Sequence, residues 1–133
     1  MMAEVLREEG GRDGPLRTVL LRYHSAWIAQ ASYSAACNGL HTVQQRCCRW
    51  LLMTHDRVGS DELPLTHEFL AFMLGVRRAG VTVAMRTLQD RGLVRYSRGR
   101  VRILDRAGLE AASCECYAVV RSHFERLLPA RVG

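Results

Sequence analysis

The stretch that most constrains this chain is Leu65–Val94, LTHEFLAFMLGVRRAGVTVAMRTLQDRGLV. Thr66 suits a helix N-cap, with Glu68 in the first turn and the apolar run Phe69-Leu70-Ala71-Phe72-Met73-Leu74 behind it. Gly75 can take the positive φ that a helix end or tight turn needs. Val76 re-enters the core, and a second periodic segment begins near Arg77. Val81, Met85 and Leu88 are spaced four and three apart, which is one helix face, and Gly92 stops the segment. Two helices across a short glycine-containing turn make a helix-turn-helix.

Charge is concentrated on the same region. All the basic residues are arginine, and from residue 77 to 106 nine of them (77, 78, 86, 91, 95, 98, 100, 102, 106) face only Asp90 and Asp105. The remaining residues hold ten arginines and eleven acids, so the net charge of +6 comes from this block. A localised positive block is the footprint expected for a polyanion. The alternative is a solvated arginine-rich face, and coincidence with a helix-turn-helix argues against it.

The residues after Gly92 extend the pattern. Leu93-Val94-Arg95-Tyr96 and Val101-Arg102-Ile103-Leu104 flank Ser97-Arg98-Gly99-Arg100, a strand–turn–strand signal whose turn carries two arginines. Ahead of the pair, Thr42-Val43-Gln44-Gln45 has the form of a capping box. It opens a helix to about Asp56 with Val43, Cys47, Trp50, Leu51 and Thr54 on its core face. Residues 58–65 read as a turn or short strand. Helix, helix-turn-helix and hairpin in this order make a winged helix-turn-helix, expected over residues 40–105.

Residues 1–14 read as a flexible N-terminus broken by Gly10-Gly11 and Gly14. Pro15 fits a first helical position, and a long helix is expected over residues 15–39. Leu16, Leu20, Tyr23, Trp27, Gln30, Ser34 and Cys37 form a heptad seam, apolar in its first half and small or polar in its second. A dimerisation helix is preferred, with Leu16, Leu20, Tyr23, Trp27, Gln30 and Ser34 at the interface, because the rest of the chain is too small to cover it. The competing reading packs the same face on its own domain. Asp105 can cap a last helix, a C-terminal extension over residues 106–133 with Leu109, Ala112, Cys116, Val120 or Val119, Phe124 and Leu127 inward. The fold class expected is therefore mainly α with a small β-hairpin.

The five cysteines are an odd number set within helical patterns, which argues against a secreted disulfide framework. Adjacent Cys47 and Cys48 point about 100° apart on a helix. On one continuous helix Cys114 and Cys116 would diverge by about 200°, so neither pair is expected to hold a metal, and no zinc-type spacing stands out. No cofactor is expected. No Ser/His/Asp or paired-carboxylate set appears, and Gly75, Gly80, Gly92 and Gly99 lack the spacing of a phosphate loop, so an enzyme is not expected. No stretch reaches the roughly 18 apolar residues of a membrane span, and the N-terminus lacks a signal-peptide h-region. The expected location is the cytoplasm.

The segment LTHEFLAFMLGVRRAGVTVAMRTLQDRGLVRYSRGRVRIL resembles the helix-turn-helix and wing of the Crp/Fnr family of bacterial transcription regulators. ACNGLHTVQQRCCRWLLMTHDRVG resembles the joint and first helix of the same domain, and residues 16–37 its long dimerisation helix. The family's N-terminal β-roll sensor has no counterpart in the fourteen residues before Pro15. No cyclic-nucleotide pocket, haem site or iron–sulfur set is carried over, and the sequence is expected to be a fragment, a shortened frame or a regulator without its own sensor.

The resemblance implies double-stranded DNA as partner, read as an inverted repeat by a homodimer, with RNA polymerase a second partner. The second helix would enter the major groove. Arg78 matches the family's base-contacting arginine, while Ala79 and Val83 depart from residues common there, so no target sequence is carried over. Ala79, Thr82 and Val83 are the remaining base-contact candidates. Thr66, Arg77, Arg86, Ser97, Arg98 and Arg100 are backbone-phosphate candidates. Two rivals stand beside this reading: a protein-interaction module that heterodimerises with a full-length relative, and a redox or metal sensor using Cys114 and Cys116.

Overall fold

The computed structural model describes residues 1–128, Glu9 by its backbone alone. The end of the expected C-terminal extension, 129–133, lies outside the described residues. The chain divides into two compact units. One comprises residues 1–34 and the described residues after Tyr117; the other comprises residues 35–117.

The second unit carries a winged helix-turn-helix. Its helices are α3 (Val43–Val58), α4 (His67–Leu74), α5 (Arg78–Asp90) and α6 (Arg106–Ala112). Strands β1 (Glu62–Leu63), β2 (Val94–Ser97) and β3 (Arg100–Ile103) form an antiparallel sheet in the order β1-β3-β2. The register pairs Val94 with Ile103 and Ser97 with Arg100, leaving Arg98-Gly99 as a two-residue turn. Both turn residues have positive φ, 49° at Arg98 and 72° at Gly99, the geometry of a type I′ hairpin.

Local chemistry sets the helix ends. The Thr42 hydroxyl accepts from the Gln45 N–H at 3.2 Å, and the Gln45 side chain accepts from the Thr42 N–H at 3.0 Å, completing the capping box. The Thr66 hydroxyl accepts from the Phe69 N–H at 3.1 Å. Gly75 closes α4 with φ 64°. Its N–H and that of Val76 return to the carbonyls of Phe72 and Ala71, a Schellman ending that aims α5 back across α4. The core beneath is formed by Leu51, Leu52, Leu63, Leu70, Leu74, Val81, Met85, Leu88, Val94, Val101 and Leu109, each essentially inaccessible. Truncating any of the larger ones to alanine is expected to cost about 2–5 kcal/mol.

The inward face of α3 differs from the sequence expectation. Cys48, Leu52 and Met53 are buried beside Cys47 and Leu51, and Arg46 and Arg49 are buried with them. The Arg46 guanidinium donates to the Leu74 carbonyl at the C-terminal end of α4, where the helix dipole favours a cation.

The first unit contains α1 (Met2–Gly11) and the greater parts of α2 (Pro15–Leu40) and α7 (Glu115–Leu127). The segment read as a flexible N-terminus is thus largely helical, since Ala3, Glu4, Leu6, Arg7 and Glu8 are good helix formers. On α2 the seam residues Leu16, Leu20, Tyr23 and Trp27 are exposed, whereas Gln30 and Ser34 are half-buried. Tyr23 also meets Phe124 edge-to-face, with ring centroids 6.4 Å apart. Among the described residues no helix is long and apolar enough to cross a membrane.

The expected single last helix is two helices. Ser113 is extended (φ −76°, ψ 163°), and the chain restarts as α7 at Glu115. The break lets both Leu109 and Tyr117 reach the core, and it turns Cys114 and Cys116 inward with them.

Candidate nucleic-acid interface

Helix α5 is two-faced. Val81, Ala84, Met85 and Leu88 are buried, while Arg77 at its N-cap and Arg78, Ala79, Thr82, Val83 and Arg86 are exposed. The exposed set recurs at i, i+4 intervals and so forms one stripe. The structure therefore places all four base-contact candidates, with Arg77 and Arg86, on the side away from the core.

The wing and the start of α4 supply the remaining candidates. Ser97, Arg98 and Arg100 are exposed around the hairpin turn. A Cβ on Gly99 would lie 3.5 Å from the Thr66 methyl, so the N-terminus of α4 borders that turn. Two acids moderate the positive surface. Arg78 pairs with Glu68 at 3.2 Å and Arg100 with Glu62 at 3.6 Å, all four side chains being well exposed. Arg106, counted in the basic block, is not available to DNA. It is bonded to Asp56 at 2.6 Å and to Glu110 at 3.1 Å, and it also donates to the Tyr117 hydroxyl.

His67 is a member of this site that periodicity did not point to. Its ring stacks on Tyr96 of β2, centroids 3.9 Å apart, and its Nδ1 lies 3.1 Å from the Thr82 hydroxyl on α5. That hydroxyl donates to the Arg78 carbonyl, so His67 Nδ1 must carry the proton and donate. His67 thereby ties the start of α4, helix α5 and the wing together. Burial, with the Arg78 charge added, pushes its pKa below the ordinary 6.5. The same bonds occupy the Thr82 hydroxyl and leave its methyl as the part free for an apolar contact.

The model of the Crp-like helix-turn-helix domain family matches residues 45–112, just over half of the chain. The chain belongs to that family. A Crp/Fnr-family transcriptional regulator of Eubacterium rectale superposes with TM-score 0.62 at 27% identity, over 83% of this chain and 51% of that one. A CRP-family transcriptional regulator of Thermus thermophilus gives TM-score 0.58 at 24% identity, over 65% of this chain and 47% of that one. The catabolite activator protein of Thermus thermophilus gives 0.50 at 22%, over 75% and 42%. The last two speak for the fold alone. The chain spans about half the length of these solved structures. No curated protein sequence matches it.

Beyond the α5 face, the cysteines of the chain separate into two groups, of which Cys47 and Cys48 lie within the matched residues. Cys47 and Cys48 lie in the core, where burial pushes their thiols up to about 12 and about 11, so they stay protonated and act as small hydrophobes. Cys114 and Cys116 are a different matter. Divergence on one helix does not apply to them, because the helix is broken beside Cys114, and they face Cys37 and His41. The sequence carried that pair as Cys-x-x-x-His at the end of α2, spaced for one helix face, but nothing in it showed that residues 37–41 meet residues 114–116.

Proposed function

We propose that the chain binds double-stranded DNA as a homodimer, each protomer laying α5 in the major groove so that the pair reads an inverted repeat. The observation that carries this reading is the α5 stripe of Arg77, Arg78, Ala79, Thr82, Val83 and Arg86, backed by a fully buried inner face and accompanied by the exposed wing arginines Arg98 and Arg100. Arg78 is the base reader, able to offer two parallel N–H donors to guanine O6 and N7. The Thr82 methyl and the Ala79 and Val83 side chains suit a thymine methyl. Arg77, Arg86, Arg98, Arg100, Ser97 and Thr66 take phosphates, which fixes position without specifying sequence. The dimer reading rests on the exposed apolar seam Leu16, Leu20, Tyr23 and Trp27.

Selection from random duplex DNA with purified protein tests the proposal. The expected product is an inverted repeat with half-site centres about 34 Å apart, one helical turn. With six to eight phosphates neutralised per dimer, log K should fall with log salt at a slope of about −5 to −7. Dimerisation without any enriched sequence would overturn it in favour of the heterodimerising interaction module.

A further inference from the structure

Four potential metal ligands converge where α2 ends and α7 begins. The Cys37, Cys114 and Cys116 thiols and the His41 ring nitrogen lie within 4.8 Å of one another. Cys37 Sγ is 3.5 Å from Cys114 Sγ, His41 Nδ1 is 3.4 Å from Cys37 Sγ, and Cys116 Sγ is 3.6 Å from His41 Nδ1. A zinc-type ion with bonds of about 2.3 Å to sulfur and about 2.0 Å to nitrogen sets the edges of its ligand tetrahedron at about 3.5–3.8 Å. The three separations just given lie within about 0.3 Å of those edges, and no two of the four ligand atoms are more than 4.8 Å apart.

The surroundings suit a metal as well. The three thiols are buried, and His41 is half-buried. His41 Nε2 lies 3.2 Å from the Glu115 carboxylate, the arrangement by which a neighbouring acid orients a ligating imidazole. Cys114 and Cys116 flank Glu115, so the break after Ala112 delivers two ligands and their supporting acid together. A Cys37–Cys114 bridge would account for two of the four groups and leave no reason for Cys116 and His41 to converge on them.

We infer that Cys37, His41, Cys114 and Cys116 form a tetrahedral site for a soft divalent cation of the zinc type. Four protein donors leave no open position, so the role is structural: the ion clips the end of α2 to the start of α7. Binding releases three thiol protons to solvent, while the imidazole ligates neutral through Nδ1 and donates its Nε2–H to Glu115. Three thiolates and a divalent ion carry one net negative charge, and the buried Arg49 guanidinium acts electrostatically on Cys37. The partly exposed His41 and the exposed Glu115 give the ion a way in. The inference is independent of the DNA reading.

Cobalt(II) is the probe. The full chain, reduced and stripped with a chelator, should bind one equivalent and show thiolate-to-cobalt charge transfer with the intense d–d bands of a tetrahedral site. Zinc(II) should abolish those bands and raise the thermal midpoint. Cys116→Ser and His41→Ala should each weaken cobalt binding by more than tenfold, and Glu115→Gln by about tenfold. His41→Cys should retain binding and strengthen the charge-transfer band, a readout that a folding defect would not produce. Wild-type protein with only weak octahedral bands would overturn the inference, as would unchanged affinity in Cys116→Ser. Protein isolated without reductant as a Cys37–Cys114 disulfide, and unable to bind cobalt(II) once reduced, would overturn it too.

Discussion

The Arg78 guanidinium lies 3.2 Å from the Glu68 carboxylate, across the turn that joins α4 to α5. Both side chains are well exposed, so the pair adds little to stability. Its consequence is for recognition. The arginine proposed to read a base is held at the first turn of α5, with a negative charge beside it that DNA binding there would have to displace or accept.

Replacing Arg78 by alanine should cost about 1–3 kcal/mol per half-site of the selected repeat and relax base preference at one position of each half-site. Binding to random DNA should fall much less. Fluorescence anisotropy on both DNAs separates the outcomes, and equal losses would remove Arg78 from base reading.

Glu68→Gln should act in the opposite direction. Removing a carboxylate from the proposed DNA-binding surface is expected to tighten binding several-fold to selected and random DNA alike, most at low salt where screening is weakest. An unchanged affinity at every salt concentration would show that the α4–α5 turn does not face the duplex.

Arg98 sits at φ 49°, a conformation that a type I′ turn normally gives to asparagine or glycine. Its charge is therefore kept at a conformational cost. Arg98→Asn should raise the thermal midpoint by a few degrees, corresponding to less than about 1 kcal/mol. It should also weaken all DNA sequences alike and shrink the salt slope of the dimer by about 2, one phosphate contact per protomer. A variant that loses both stability and DNA binding would contradict this account of the wing.

The winged helix was legible because each part arises from local chemistry: the Thr66 cap, the Gly75 turn, the Val81-Met85-Leu88 face, and the Arg98-Gly99 hairpin. The parts that were not legible depend on tertiary packing. Residues 110–117 contain no proline or glycine to announce the break at Ser113. The break arises because Leu109 and Tyr117 are both drawn to the core, with the Tyr117 hydroxyl bonded to Asp56 at 2.6 Å. Arg106 read as part of the basic block, yet the same Asp56 takes its charge. Arg46 and Arg49 are buried against the expectation of their type, and His67 joins three elements that are distant in sequence.

His67 should make the domain acid-sensitive. Its Nδ1–H is given to Thr82, while its Nε2 is buried with no hydrogen-bond partner among the described residues. The folded pKa therefore lies below the unfolded value of about 6.5. With the folded value the lower, the unfolded chain takes up the proton first. Stability is thus fully present above about 6.5 and is lost as pH falls toward the folded value. Urea midpoints at pH 8 and pH 5.5 should differ more for wild type than for His67→Asn, whose amide can still donate to Thr82. Equal differences would assign the acid sensitivity to other groups.

Leu20 offers the sharpest test of the dimer. It stays 42% exposed on α2 in line with Leu16, Tyr23 and Trp27, while the later seam positions Gln30 and Ser34 are half-buried. A charge at Leu20 costs little in an isolated chain but must be desolvated in a pairing of two such seams. Leu20→Glu should therefore keep the wild-type helical signal and thermal midpoint at low concentration, yet sediment as a monomer where wild type sediments as a dimer. Affinity for an inverted repeat should fall by at least tenfold, and affinity for a single half-site should barely change. Tyr23 is a poorer probe because its ring already packs on Phe124. Wild-type protein that remains monomeric at micromolar concentration, and binds one half-site as well as two, would eliminate the α2 seam as an interface.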